Sequence, residues 1–189
     1  MRPGELFVLA WIAWIVSWLA AAFWYSKPLK RAATYEVWAY RGIILIGAVL
    51  LNHRFSQRIG APRLWYVSLD GAYALVGVAV VGFLFAWWAR VYLGPLWSGA
   101  VTVKSDHRVV DTGPYALVRH PIYTGLITAT LATAAAEATA PALAGLVLIA
   151  FGLWIKARLE ERFLAAELGP DAYGAYRNRV PMLVPFMPG

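Results

Sequence analysis

YVSLDGAYALVGVAVVGFLFAWW, residues 66–88, holds one charged side chain, Asp70, near its start and none after it. A helix needs about 20 mostly apolar residues to cross the hydrocarbon of a bilayer, and this run supplies them. Comparable runs lie at Leu6 to Tyr25, Val37 to Leu51, Ile122 to Ala140 and Ala142 to Ile155, the last two divided by a turn at Pro141. The expected fold class is all-α: one integral membrane helical bundle over residues 1–189, with about five transmembrane helices. Composition agrees, with 61% hydrophobic residues, 14% charged and a mean hydropathy of +0.59.

The net charge is +7, from 17 Lys and Arg against 10 Asp and Glu. In a membrane chain such a surplus marks loops on the cytoplasmic side rather than nucleic-acid binding. Five spans put the termini on opposite sides. The segments sharing a side with the carboxyl terminus hold Lys27, Lys30 and Arg31, then Arg90, Lys104, Arg108 and Arg119, then the basic residues from Lys156 to Arg179. The other side holds Arg2, Arg54, Arg58 and Arg63. This asymmetry places the carboxyl terminus in the cytoplasm, and a prokaryotic inner membrane is the expected location. The first span is longer and more aromatic than a secretory leader and is expected to stay in the mature chain. With no cysteine, disulfides, thiolate nucleophiles and Cys-based metal sites are excluded. His53, His107 and His120 lack the spacing of a local metal motif, so no metal is expected.

Inside the spans, Trp11, Trp14 and Trp18 fall on one helical face, a pattern that predicts packing against helices or lipid. Arg41 is placed to snorkel to the headgroups. Glu137, about 24 Å along a helix from Pro121, belongs at the far interface, and Asp70 is likewise interfacial. No chemistry is assigned to Glu137. An intramembrane carboxylate such as Asp70 leaves room for function, and Arg41, like Arg119 or Arg158, could instead hold a carboxylate substrate.

Two polar segments share the carboxyl-terminal side. The first, LGPLWSGAVTVKSDHRVVDTGPYALVRHP at 93–121, has turn signals at Gly94-Pro95 and Gly113-Pro114. Pro121 suits the first turn of the following helix, leaving Arg119 and His120 at its amino end beside the positive pole of the dipole. That is a site for an anionic group. Gly125, Ala129 and Thr133 continue as a small-residue stripe, which serves close helix packing or admits a flat ligand. The second segment, KARLEERFLAAELGPDAYGAYRNRVPMLVPF at 156–186, reads as a helix leaving the membrane and stopping near Gly169-Pro170. Glu160 and Glu161 point to adjacent faces, so that one turns toward the loop while the other meets Arg158 or solvent. Tyr173 and Tyr176 share a face if their segment is helical. A pocket of Arg119, His120, the glutamates and the tyrosines suits a ligand with a carboxylate, an amine, hydroxyls and a cation for aromatic faces. S-adenosylmethionine has all of these.

GPYALVRHPIYTG at 113–125, preceded by LGPLWS, resembles the core motif of the isoprenylcysteine carboxyl methyltransferase and phospholipid methyltransferase superfamily of integral membrane enzymes. EERFLAAELGPDAYGAYRNRVPMLVP at 160–185 resembles the second motif of the same superfamily. The resemblance implies an S-adenosylmethionine-dependent methyltransferase with a lipophilic substrate entering from the bilayer. It makes Arg119, His120, Tyr123, Gly125, Glu160, Tyr173 and Tyr176 the cofactor-binding residues. Arg158 and Glu161 are the expected catalytic residues. Leu168 departs from the phenylalanine common there in the superfamily. Residues 93–189 are then the cofactor-binding region, and residues 1–92 face the substrate. Carboxylate O-methylation is the first expectation and aminophospholipid N-methylation the second, the latter requiring a base such as Glu160, Glu161 or His120. An NADPH-dependent sterol-type reductase and a non-enzymatic membrane scaffold are the rivals. Membrane lipids are expected partners, and nucleic acid is not; the sequence specifies neither substrate nor oligomeric state.

Overall fold

The computed structural model describes residues 1–21, 30–31, 34–94, 102–103, 110–168 and 170–187. The chain is a bundle whose long helices are α1 (Pro3–Ala20), α2 (Thr34–Leu51), α4 (Leu69–Leu93), α6 (Pro121–Glu137) and α7 (Ala140–Leu168). Short helices α3 (His53–Arg58) and α5 (Pro114–Leu117) precede α4 and α6, and α8 (Pro170–Arg179) follows α7. Lys30–Arg31 (β1) and Thr102–Val103 (β2) form a two-residue antiparallel pairing. Helices α1, α4 and α7 are each long and apolar enough to cross a membrane. Helix α6 has 17 residues, and α2 carries Glu36 and Arg41.

Local chemistry moves several helix ends away from the apolar runs. Helix α4 starts at Leu69 rather than Tyr66, because the Ser68 hydroxyl accepts from the Gly71 amide at 3.1 Å and caps it. Helix α6 stops at Glu137 rather than Ala140, because Ala138 takes a left-handed conformation with φ 53°. Thr139 then accepts from the Ala142 amide at 3.4 Å and starts α7. The α6–α7 turn is therefore as tight as expected, but its pivot is Ala138 rather than Pro141. The end of the first span expected at Tyr25, together with Lys27, Lys104, His107, Arg108 and most of LGPLWS, lies outside the described residues.

Two helix pairs approach so closely that only glycine fits between them. A Cβ on Gly82 of α4 would lie 2.5 Å from the Gly125 carbonyl oxygen of α6, and one on Gly125 would strike the Gly82 carbonyl in turn. In the other pair, a Cβ on Gly47 of α2 would lie 2.8 Å from the Gly145 carbonyl of α7. Such contacts suit a membrane, where association rests on close packing rather than on hydrophobic exclusion. The tryptophan stripe of α1 packs on α4: Trp11 meets Phe83 edge-on at 4.8 Å, and Trp18 meets Trp87 at 5.5 Å.

The two ends of the bundle differ. At one end, fully buried Arg90 donates to the Gly94 carbonyl at 2.9 Å and the Ala21 carbonyl at 3.1 Å, tying α4 to α1. The amino end of α6 and the later part of α7 lie at this end. At the other, Glu137 binds His53 at 2.6 Å and the Trp65 indole donates to the Ala135 carbonyl at 3.1 Å. Glu137 thus lies a full helix length from His120, as its spacing predicts.

Candidate active site at the membrane boundary

Gly113, with φ 58°, turns the chain into α5, and the Tyr92 ring packs against it. Val118 is extended and fully buried, and His120 is the residue just before α6. This delivers Arg119 and His120 to a cluster with the two glutamates of α7. The Arg119 Nε donates to Glu161 Oε1 at 2.7 Å, with both side chains buried. The His120 ring lies between the carboxylates: Nε2 is 3.2 Å from Glu161 Oε1, and Nδ1 is 3.6 Å from Glu160 Oε2. The Tyr123 hydroxyl donates to Glu160 Oε1 at 2.6 Å, and its ring stacks on His120 with centroids 5.4 Å apart. Lys156 completes the cluster, with Nζ 3.9 Å from Glu160, 5.2 Å from the centre of the Tyr123 ring and 5.9 Å from that of Tyr40.

Adjacent glutamates share one target because the imidazole presents a nitrogen to each. The expectation that one of them would meet Arg158 is therefore corrected, while Glu160 keeps part of its side chain open to solvent. Burial pushes the His120 pKa down, but hydrogen bonding and attraction to Glu160 and Glu161 outweigh it, and the net shift is upward. The imidazolium form is favoured.

The carboxyl-terminal stretch closes one side of the cluster. The Arg119 amide donates to the Pro181 carbonyl at 2.8 Å and the His120 amide to the Met182 carbonyl at 3.1 Å. The Arg119 Nη1 donates to the Arg177 carbonyl at 2.8 Å and also to the Val180 carbonyl. The Thr124 hydroxyl is 2.6 Å from the Leu183 carbonyl. Arg119 was expected to hold an anionic ligand at the helix mouth; here its guanidinium is engaged by the protein's own carboxylate and carbonyls. Tyr173 and Tyr176 both lie on α8 and are buried, packed edge-on at 6.1 Å, and Tyr176 donates to the Tyr115 carbonyl at 2.8 Å. Burial raises both phenol pKa values and keeps these groups neutral.

Two expected site residues are not brought into the cluster. Gly125 is spent on the α4 contact, so at that level the small-residue stripe serves packing. Arg158 is exposed and stacks over the Trp154 ring at 5.8 Å, because residue 158 lies two positions from both Lys156 and Glu160 and projects from the opposite side of α7. The side chain of Leu168 lies outside the described residues. Lys156 and Tyr40 were not singled out from sequence; the four-residue step from Lys156 to Glu160 is the signal that would have found the lysine. Among the described residues there is no group of three side chains able to hold a metal ion.

Residues 75–166 match the model of the isoprenylcysteine carboxyl methyltransferase (ICMT) family, a range that holds Arg119, His120, Tyr123, Lys156 and both glutamates. Over that range, just under half of its length, the chain is similar to the ICMT family. One relative, methanethiol S-methyltransferase 2 of Bradyrhizobium diazoefficiens, is 31% identical over 176 residues, covering 86% of this chain and 63% of its own. A second, the cobalt-zinc-cadmium resistance protein CzcN of Cupriavidus metallidurans, is 29% identical over 152 residues, covering 79% of this chain and 62% of its own. The chain thus spans less than two thirds of the length of either relative.

Proposed function

We propose that this ICMT-like protein transfers a methyl group from S-adenosylmethionine to a small lipophilic acceptor that is anionic when it reacts. The observation that carries the reading is the pairing of Glu160 with Tyr123, His120 and Lys156 at one end of a membrane bundle. Glu161 and Arg119 are closed off at 6% and 4% side-chain exposure, whereas the Glu160 and Lys156 side chains keep 20% and 15%. The open half of the cluster is therefore the half that can meet ligands.

Its donor set fits the cofactor. Lys156 and His120 would hold a carboxylate, Glu160 an ammonium, and the Tyr123 and Tyr40 faces would stabilise a sulfonium. When bound, the cofactor supplies an electrophilic methyl on a cationic sulfur. The protein's share is placement: the bundle brings an apolar acceptor to the boundary and shields it from water. A carboxylate, as in the name of the matching family, is already an anion near neutral pH and becomes neutral on methylation, whereas the thiol in the name of the Bradyrhizobium relative must first lose its proton to water. An aminophospholipid would instead need a free base, and Glu160 and Glu161 are already held by cations.

Titration calorimetry of the detergent-solubilised protein with S-adenosylhomocysteine and, separately, NADPH tests the reading. Saturable binding of the first alone is the expected result. Binding of NADPH alone would establish the reductase reading in its place, and binding of neither would favour the scaffold.

A further inference from the structure

The end of the bundle opposite the active site carries a second basic feature that the methyl-transfer reading leaves unused. Where α2 passes into α3, Ala48, Val49, Asn52, Arg54, Phe55 and Arg58 line an open cleft of about 450 Å³. Arg54 and Arg58 are one helical turn apart, so both guanidinium groups serve the same face. No ion pair joins either to a carboxylate among the described residues. Glu137, the acid of this corner, is held by His53. The cleft therefore has uncompensated positive charge.

Its other wall is apolar and continuous with the outer face of α2. Leu45 is 67% exposed and Val49 is 49% exposed, and they lie on one face four residues apart, with Ile46 alongside. In a membrane bundle such a stripe faces acyl chains. A ligand that joins this stripe to the arginines has hydrocarbon at one end and an anionic head at the other.

We propose that the α2–α3 corner is a binding site for an anionic phospholipid of the leaflet opposite the active site. Arg54 and Arg58 take the phosphate oxygens, and the acyl chain runs along Val49 and Leu45. Arginine suits this task because its planar, weakly hydrated fork donates two parallel hydrogen bonds to phosphate at an interface. The apolar stripe selects a lipid over a soluble anion, since inorganic phosphate gains nothing from Val49 or Leu45. The site also accounts for basic residues on the side of the bundle that is otherwise poor in them.

Native mass spectrometry of the full chain, exchanged into equimolar phosphatidylglycerol and phosphatidylcholine of matched acyl chains, reads out the proposal. The expected result is preferential retention of phosphatidylglycerol, by several-fold, lost in the R54Q/R58Q double variant. It should persist in R162Q, which removes a charge at the other end of the molecule. Equal retention of the two lipids, or equal loss of preference in both variants, would overturn the proposal. So would displacement of the retained phosphatidylglycerol by millimolar inorganic phosphate, which would show a site for free anions. A thermal melt of each variant separates loss of the site from loss of the fold.

Discussion

At the scale of single residues, the paired glutamates divide their labour. Glu161 is buried with Arg119 and shares His120, and removing one partner of a buried pair leaves the other charge stranded at a cost of about 3–5 kcal/mol. Glu161→Ala should therefore lower the melting temperature sharply, whereas Glu160→Gln should leave the melt nearly unchanged and weaken S-adenosylhomocysteine binding. The two readouts moving together in both variants would contradict the division. His120 adds a pH dependence. Its pKa is raised in the folded state above the ordinary 6.5, so its contribution to stability is full below that value and is lost as pH rises through the higher folded value. The melting temperature of the wild type should fall over that rise by more than that of His120→Gln. The residue types of the cluster were legible in the sequence through the Arg-His and Glu-Glu pairs. The capture of Arg119 by carbonyls at 177 and 180 was not, because main-chain acceptors carry no residue signature.

At the scale of elements, the apolar runs showed where the long helices lie, since hydrocarbon thickness sets their length. Their ends were less legible: a serine hydroxyl at 68 and a left-handed alanine at 138 act over one or two residues inside a longer apolar pattern. Helix contacts follow the glycines. Gly125 belongs to a motif that resembles a cofactor-binding one, yet its position is fixed by the α4 backbone, and composition alone cannot separate these roles. Gly125→Ala should force α4 and α6 apart and destabilise the bundle by about 1–3 kcal/mol, as overpacking does. Intramembrane cleavage or hydrogen exchange should then report opening first at α4 and α6. A variant as stable as the parent would mean that the helices slide past the added methyl at no cost.

At the scale of the molecule, the bundle is polarised. One end gathers titratable groups around His120, and the other holds Arg54, Arg58 and the His53–Glu137 pair. The order of synthesis acts on this arrangement. Arg119 reaches the membrane boundary long before its acceptor at Val180, which lies 61 residues further along the chain. Helices α6 and α7 must both be made in between. During that interval a charged side chain at the edge of the lipid has water and headgroups as partners, and the two backbone amides that later meet Pro181 and Met182 are open as well. The helical frame can thus be inserted while the His120 end is still incomplete. For the growing chain, the cluster around His120 is completed only after the helical frame, by the segment that follows α7.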